Sequence, residues 1–252
     1  MNQQGSKSII GGDEHGWPRQ VGGCPPKGIA KMSKIETAAR LIASSGVYLV
    51  TEDRVPADRR LKSVAEAIAG GARVIQLRDK GTRKVDLLLE AREMGQMCRR
   101  AGAIFIVNDD VALAWCADAD GVHVGQDDLP VPEVRRLLGK DKLVGLSVSA
   151  LDEALEADAL GVDYIGVGAI YATPTKTDAD LGGLELLRAV RRQVDRPLVA
   201  IGGIDAGNAA AVFAAGADSV AVVRAAFAQP DVAEATRELL AIARAAKAER
   251  GS

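Results

Sequence analysis

Cysteine is scarce: only Cys24, Cys98 and Cys116 occur in 252 residues. Their number is odd and no two form a CxxC pair, which excludes a disulfide framework and a structural zinc site and predicts reduced thiols in a cytosol. Charge of one sign is also lacking. The formal net charge is −2, so no global positive field recruits nucleic acid or an anionic membrane, and a small anionic ligand is the easier partner. No apolar run approaches the ~20 residues that cross a bilayer. The first stretch, Met1 to about Lys31, has no apolar h-region of a secretory signal. With Gly11-Gly12, Gly22-Gly23 and Pro25-Pro26 it reads as a flexible extension. No GxGxxG follows the first apolar strand, which disfavours a dinucleotide-binding sheet.

What is present is an ordinary globular balance, 48% hydrophobic and 26% charged, sufficient for a sizeable core. From Gly46 onward, β-branched runs alternate with alanine-rich segments of helical period. Successive strands begin roughly 20 to 30 residues apart, as parallel crossover units require. The strands are predicted at Val47–Thr51, Val74–Arg78, Ile104–Asn108, Gly121–Gly125, Leu143–Val148, Tyr164–Ala169, Leu198–Gly202 and Ser219–Arg224. Leu61–Ala69, Lys84–Ala101, Val131–Leu138 and Asn208–Ala215 carry apolar residues at three- and four-residue spacing and read as helices. Glycine recurs just before strands, at Gly71, Gly102, Gly121, Gly161 and Gly216, where it tolerates the positive φ that ends a helix. Eight such units point to α/β architecture, a single (β/α)8 TIM barrel over residues 34–252, with residues 1–33 as the extension. An open doubly wound sheet is the alternative. A short helix at Ile35–Ser44 is expected to cap the barrel floor.

In such a barrel, chemistry sits where strands end and βα loops begin. Polar residues gather there: Gln76-Leu77-Arg78-Asp79-Lys80, Asn108-Asp109-Asp110, Gln126-Asp127-Asp128, Ser147, Thr173-Pro174-Thr175-Lys176 and Gly202-Gly203. Period-two alternation directs Gln76, Arg78 and Lys80 to one face and Leu77 to the other. Arginine's planar fork and lysine's point charge together suit a pyrophosphate group. A structural ion cluster of Arg78 with Asp109 or Asp128 is the competing explanation. Asp109 and Asp128 close consecutive strands, so they can share a magnesium ion with substrate oxygens. Gly203 allows an anion to approach backbone amides, although a tight turn explains it equally well. His123 is expected to be a hydrogen-bonded strand residue, and Cys98, Cys116 and Trp115, on helices at apolar positions, to serve as core or helix–barrel packing.

Further segments fall in a fixed order: Tyr48-Leu49-Val50-Thr51, Gln76-Leu77-Arg78-Asp79-Lys80, Val107-Asn108-Asp109-Asp110, Gly121-Val122-His123-Val124-Gly125-Gln126-Asp127-Asp128, Gly145-Leu146-Ser147, Gly168 through Lys176, and Ala200-Ile201-Gly202-Gly203-Ile204. Taken together and in that order they resemble thiamine-phosphate synthases. The resemblance spans about Gly46 to Phe227. It implies a magnesium-dependent enzyme that joins an aminopyrimidine diphosphate to a thiazole phosphate and releases pyrophosphate. Gln76, Leu77, Arg78, Asp79, Lys80, Asn108, Ser147 and Lys176 would bind the pyrimidine diphosphate, with Arg78, Lys80 and Lys176 assisting departure of the leaving group. Asp109 and Asp128 would hold Mg2+. Thr173, Pro174, Thr175, Gly203, Val223 and Arg224 would receive the thiazole phosphate. Arg224 departs from the family, which usually has serine there. The expected partners are small phosphorylated molecules, with no nucleic acid and no membrane, in the cytoplasm, and homo-oligomerisation is left open. Two other readings stand beside it: a related thiazole tautomerase, which would not need the full cationic and metal set, and a noncatalytic phosphate-ligand sensor.

Overall fold

The computed structural model describes residues 34–53, 55–172 and 182–250. Helix α1 (Lys34–Ser45) precedes strand β1 (Val47–Val50). Then follow α2 (Ala57–Ala69), β2 (Val74–Leu77), α3 (Lys84–Ala101), β3 (Ile104–Asn108), α4 (Val111–Cys116), β4 (Gly121–Val124), α5 (Val131–Leu138) and β5 (Leu143–Val148). The second half runs α6 (Leu151–Ala159), β6 (Tyr164–Val167), α7 (Gly183–Gln193), β7 (Leu198–Ile201), α8 (Ala209–Ala214) and β8 (Ser219–Val222), and ends in α9 (Arg224–Phe227) and α10 (Val232–Arg250). The strands close into a barrel in sequence order, with β1 also paired to β8 through Val47–Val220 and Leu49–Val222. Every pairing is parallel, so the closed (β/α)8 barrel prevails over the open sheet.

Strand alternation divides the apolar residues into two layers. Val47, Leu49, Ile75 and Leu77 face outward, where they pack with Val64, Leu87, Ala91 and Met94 of the surrounding helices. Tyr48, Val50, Val74, Ile104, Ile106, Leu143 and Tyr164 face inward and fill the barrel. As expected, α1 closes the floor. Its Ile42 joins the inner layer, and Ser219 at the start of β8 donates its hydroxyl to the Ile42 carbonyl at 2.5 Å. Among the described residues no helix is long and apolar enough to cross a membrane.

Several expectations change in detail. Strands β2, β6 and β8 stop one or two residues before the apolar runs do, which leaves Arg78 and Ala169 in loops and makes Arg224 the first residue of α9. Gly71, Gly102, Gly161 and Gly216 have positive φ, but Gly121 does not. A Cβ at Gly121 would lie 2.3 Å from the Leu143 carbonyl oxygen, so close strand approach is what requires glycine there. Cys98 is buried as expected, and burial pushes its thiol up to about 12. Trp115 and Cys116 are not core. Helix α4 has only six residues and turns Val111, Leu113 and Ala114 inward, which leaves Trp115 62% exposed and Cys116 exposed.

Candidate active site

At the C-terminal ends of the strands the barrel opens into a cavity of about 880 Å³. Gln76, Arg78, Asn108 and Ser147 line one side, and Gly203, Val223 and Arg224 the other. With Tyr48, His123 and Gly166 also in the lining, all eight βα units meet in one space, because every parallel strand delivers its last side chains to the same mouth. Thr173, Pro174, Thr175 and Lys176 lie outside the described residues.

The segment after β2 shows how local structure aims the cations. Thr51 clamps the backbone of Arg78 from both sides: its hydroxyl accepts from the Arg78 amide at 2.9 Å and donates to the Arg78 carbonyl at 3.0 Å. The Arg78 guanidinium is held by Asp53 at 2.5 Å, not by Asp109 or Asp128. Lys80, largely exposed, reaches Asp109 at 3.4 Å. The two flanking residues of the run turn elsewhere. Leu77 packs its side chain in the outer apolar layer, away from the cavity. The Asp79 carboxylate, 1% exposed, binds Arg60 at 2.7 Å and accepts from the amides of Gly81 and Thr82. Despite a desolvation cost that acts the other way, the Thr82 and Gly81 amides and the Arg60 guanidinium hold the Asp79 carboxyl down at about 2. Arg60 in turn grips Glu90 of α3 through two nitrogens, at 2.6 and 3.1 Å. This buried Asp79–Arg60–Glu90 triad fastens the β2 loop to α2 and α3.

Asp109 sits just past β3 in the left-handed region, with φ 59°. That conformation is uncommon for a residue other than glycine and turns its carboxyl toward Asp128, which follows β4. Burial first, and then a hydrogen bond and like charge from Asp128, push the Asp109 carboxyl up, partly offset by Lys80. Two carboxyls in mutual contact beside a cation make a hard oxygen pair that fits a divalent ion such as magnesium. Among the described residues no third acidic, histidine or cysteine group joins them, so waters and ligand oxygens would complete the octahedron. Asp128 is itself oriented by the Gly125 amide, 2.7 Å away. The adjacent Asp110 plays a different part, capping α4 through the Leu113 amide and pairing with Lys84.

On the far side, Gly202 and Gly203 have φ of 106° and 61°. A Cβ on Gly203 would come within 2.7 Å of the Ala172 carbonyl oxygen, so the turn requires glycine and leaves its backbone open to the cavity. At the bottom of the cavity His123 is hydrogen-bonded as expected, its Nδ1 3.1 Å from the Tyr164 hydroxyl and its Nε2 2.8 Å from Ser147 Oγ.

Reading the sequence missed Asp53, Tyr164, Arg60 and Glu90. Asp53 follows the Tyr48–Thr51 run and carried the best signal, an acid two residues beyond a strand end. Arg60 and Glu90 lie on helices, where an exposed face is the ordinary expectation for charge.

A closed (β/α)8 barrel with a polar cavity at the strand ends, lined by Arg78 and Arg224, and with the Lys80–Asp109–Asp128 group in the adjoining loops after β2, β3 and β4, defines a barrel enzyme of anionic substrates. Within that class the relationship is specific. The chain belongs to the thiamine monophosphate synthase family, whose model matches residues 47–226. It is 50% identical over 198 residues to the thiamine-phosphate synthase of Chloroflexus aurantiacus, covering 78% of this chain and 91% of that one. With the thiamine-phosphate synthase of Thioalkalivibrio sulfidiphilus it shares 47% identity over 210 residues, covering 82% and 98%. The solved structure of thiamine phosphate pyrophosphorylase from Pyrococcus furiosus superposes with a TM-score of 0.75 at 36% identity, covering 82% of this chain and 98% of that one.

Proposed function

We propose that this barrel condenses 4-amino-2-methyl-5-(diphosphooxymethyl)pyrimidine with a thiazole phosphate to give thiamine phosphate and pyrophosphate. The observation that carries the reading is the single cavity lined by Gln76, Arg78, Asn108 and Ser147 on one side and by Gly203, Val223 and Arg224 on the other. One side takes the pyrimidine diphosphate and the other the thiazole phosphate, which brings the two reacting atoms together without a diffusing intermediate.

Arg78, Lys80 and Lys176 stabilise negative charge on the diphosphate as the carbon–oxygen bond breaks and its electron pair leaves with oxygen. The residues that would hold magnesium are Asp109 and Asp128, and the ion, when bound, supplies further charge stabilisation at the diphosphate. The aminopyrimidine's electron-rich ring stabilises the methylene cation, and the thiazole nitrogen donates its lone pair to form the new carbon–nitrogen bond. No proton has to be removed from a poor acid, so the condensation needs no general base. Thr173, Pro174 and Thr175, with the Gly203, Val223 and Arg224 segment, receive the thiazole phosphate. Arg224 replaces the family's serine and offers a guanidinium to the same anion. Leu77 contributes backbone only, and Asp79 supports the loop through Arg60. Residues 34–252 form the catalytic domain of a cytoplasmic enzyme that acts on small phosphorylated molecules, and self-association is tested by light scattering.

The decisive experiment is pyrophosphate release by the purified protein with both substrates, with and without magnesium, alongside mass detection of thiamine phosphate. Magnesium-dependent formation of both products is expected. Binding of either ligand without product would overturn the synthase reading in favour of a tautomerase or a phosphate sensor.

A further inference from the structure

Across the floor of the cavity runs an unbroken line of polar side chains drawn from five strands. Gln76 Nε2 donates to the Tyr48 hydroxyl at 2.8 Å, and the Tyr48 and Tyr164 hydroxyls are 2.9 Å apart. Tyr164 lies 3.1 Å from His123 Nδ1, and His123 Nε2 lies 2.8 Å from Ser147 Oγ. Tyr48, Tyr164 and Gln76 are 2%, 0% and 4% exposed, which keeps water from that stretch of the line, and the half-buried His123 and Ser147 carry it to the cavity wall. The backbone makes room for it. A Cβ at Gly145 would lie 2.2 Å from the Tyr164 ring and 2.5 Å from His123 Nδ1, and one at Gly166 would crowd the His123 ring at 3.0 Å. His123 and Tyr164 stack with centroids 5.4 Å apart.

We infer that these five side chains form one relay whose hydrogen-bond polarity couples recognition of a substrate's amino group at Gln76 to recognition of its anionic group at Ser147. The inference rests on the proposed function and names positioning residues for it: Tyr48, Tyr164 and His123.

The argument is a count of donors and acceptors. Burial pushes both phenols far above the usual tyrosine range, so each keeps its proton and donates once. In one polarity Gln76 donates to Tyr48, Tyr48 to Tyr164, Tyr164 to His123 Nδ1, and His123 Nε2–H to Ser147. Gln76 then presents its carbonyl oxygen to the cavity, and Ser147 has a proton free to donate. In the reverse polarity Ser147 donates to Nε2, Nδ1–H to Tyr164, Tyr164 to Tyr48, and Tyr48 to the turned-over carboxamide oxygen. Gln76 then presents its amide donors, and Ser147 only a lone pair. The imidazole stays neutral throughout, because one proton leaves Nε2 as another is taken up at Nδ1. A mixture of the two polarities sets two donors or two acceptors against each other, most expensively along the buried Gln76–Tyr48–Tyr164 stretch, so the line switches as a unit.

Both ends of the substrate select the same polarity. An exocyclic amino group needs an acceptor at Gln76, which is deep in the floor. A diphosphate oxygen needs a donor at Ser147, which is nearer the mouth. A ring bearing a carbonyl in place of the amino group selects the opposite state and withdraws the Ser147 proton from the anion.

The test measures binding of inorganic pyrophosphate with magnesium to the full chain by calorimetry, alone and with the aminopyrimidine alcohol that lacks the diphosphate. The aminopyrimidine is expected to tighten pyrophosphate about fivefold, the worth of one net hydrogen bond, and reciprocally. Its 4-oxo analogue is expected to weaken pyrophosphate instead. Tyr164→Phe keeps the stacked ring, removes the central hydroxyl and should abolish both effects while each ligand still binds alone. Coupling of the same size in Tyr164→Phe as in the wild type overturns the relay. Should that variant fail to fold, 15N spectra of His123 in the wild type decide. The Nε2–H form with the aminopyrimidine and the Nδ1–H form with the 4-oxo analogue support the relay, and one tautomer with both overturns it. Synthase turnover by a wild-type protein that shows no relay would sink this inference alone, whereas absence of turnover and of binding by both ligands would remove the functional reading beneath it.

Discussion

Replacing Arg60 with methionine removes the centre of the buried triad and leaves the volume nearly filled. In the native protein the Arg60 side chain is 3% exposed, Asp79 1% and Glu90 2%, and three charge-assisted hydrogen bonds of 2.6 to 3.1 Å join them. Without Arg60 two carboxylates face each other in a dry cleft. Breaking a buried pair in this way costs about 3–5 kcal/mol. For a domain of this size each kcal/mol lowers the melting temperature by roughly 2–4 °C, so Tm is expected to fall by about 6–20 °C. The pH response carries the stronger test. In the wild type the Asp79 carboxyl is depressed from 3.8 to about 2, so its stabilisation is present above 3.8 and lost as pH falls toward 2. The Glu90 carboxyl is shifted up by burial and therefore acts in the opposite sense, its stabilisation present below 4.5 and lost as pH rises through its folded value. Arg60→Met turns Asp79 into a raised group as well. The deficit of the variant against wild type, followed by urea unfolding, should therefore shrink as pH falls from 7 to 5. A loss below about 1 kcal/mol, the level of an exposed pair, or a deficit that is the same at pH 7 and 5, would refute the assignment of the triad as a buried electrostatic unit.

Asp79→Asn is expected to lower Tm while leaving the KM for the pyrimidine diphosphate within about twofold; a large KM change with unaltered Tm would return Asp79 to the substrate. Lys176→Ala and Asp109→Ala should each cut kcat by roughly a hundredfold, the order found on removing one electrostatic donor from a catalytic site, with Tm nearly unchanged; turnover at the wild-type rate in both would sink their site roles. Gly203→Val forces a side chain into a left-handed turn against the Ala172 carbonyl, so steady-state kinetics should show a KM for the thiazole phosphate raised by about tenfold or more, the effect of roughly 1.4 kcal/mol, and an unchanged KM rejects its role. Trp115→Ser changes a residue that is 62% exposed and should move stability by no more than about 0.5 kcal/mol; a core-sized loss in thermal melts would reverse that assignment.

Much of the barrel was legible because the periodicities of its parts are local. Val47 through Thr51 and Ile104 through Asn108 read as strands since β-branched residues crowd a helix, and Lys84–Ala101 read as a helix because its apolar stripe returns every three or four residues. Strand ends were less legible. β8 halts at Val222 where the chain turns into α9, and no apolar signal distinguishes Val223 from its neighbours. Trp115 misled for a similar reason: hydrophobicity predicts burial only when the helix is long enough to commit a face. Within Gln76–Lys80, alternation separated Gln76 and Arg78, which line the cavity, from Leu77, whereas the family resemblance put Asp79 with the substrate, and the partner that holds its carboxylate lies on α2, out of reach of any local pattern.

The sequence by itself determined the eightfold βα alternation, the crowding of polar residues at strand ends and the family, since each depends on residues near one another in the chain or on motifs in fixed order. Only the tertiary structure decided who pairs with whom: Asp53 with Arg78, Asp79 and Glu90 with Arg60, and Tyr48 with Gln76 and Tyr164. The physical reason is range. Backbone preference and side-chain period act over a few residues, whereas a hydrogen bond or an ion pair has no memory of sequence separation and exists only once barrel closure has brought distant strands within about 3 Å of each other.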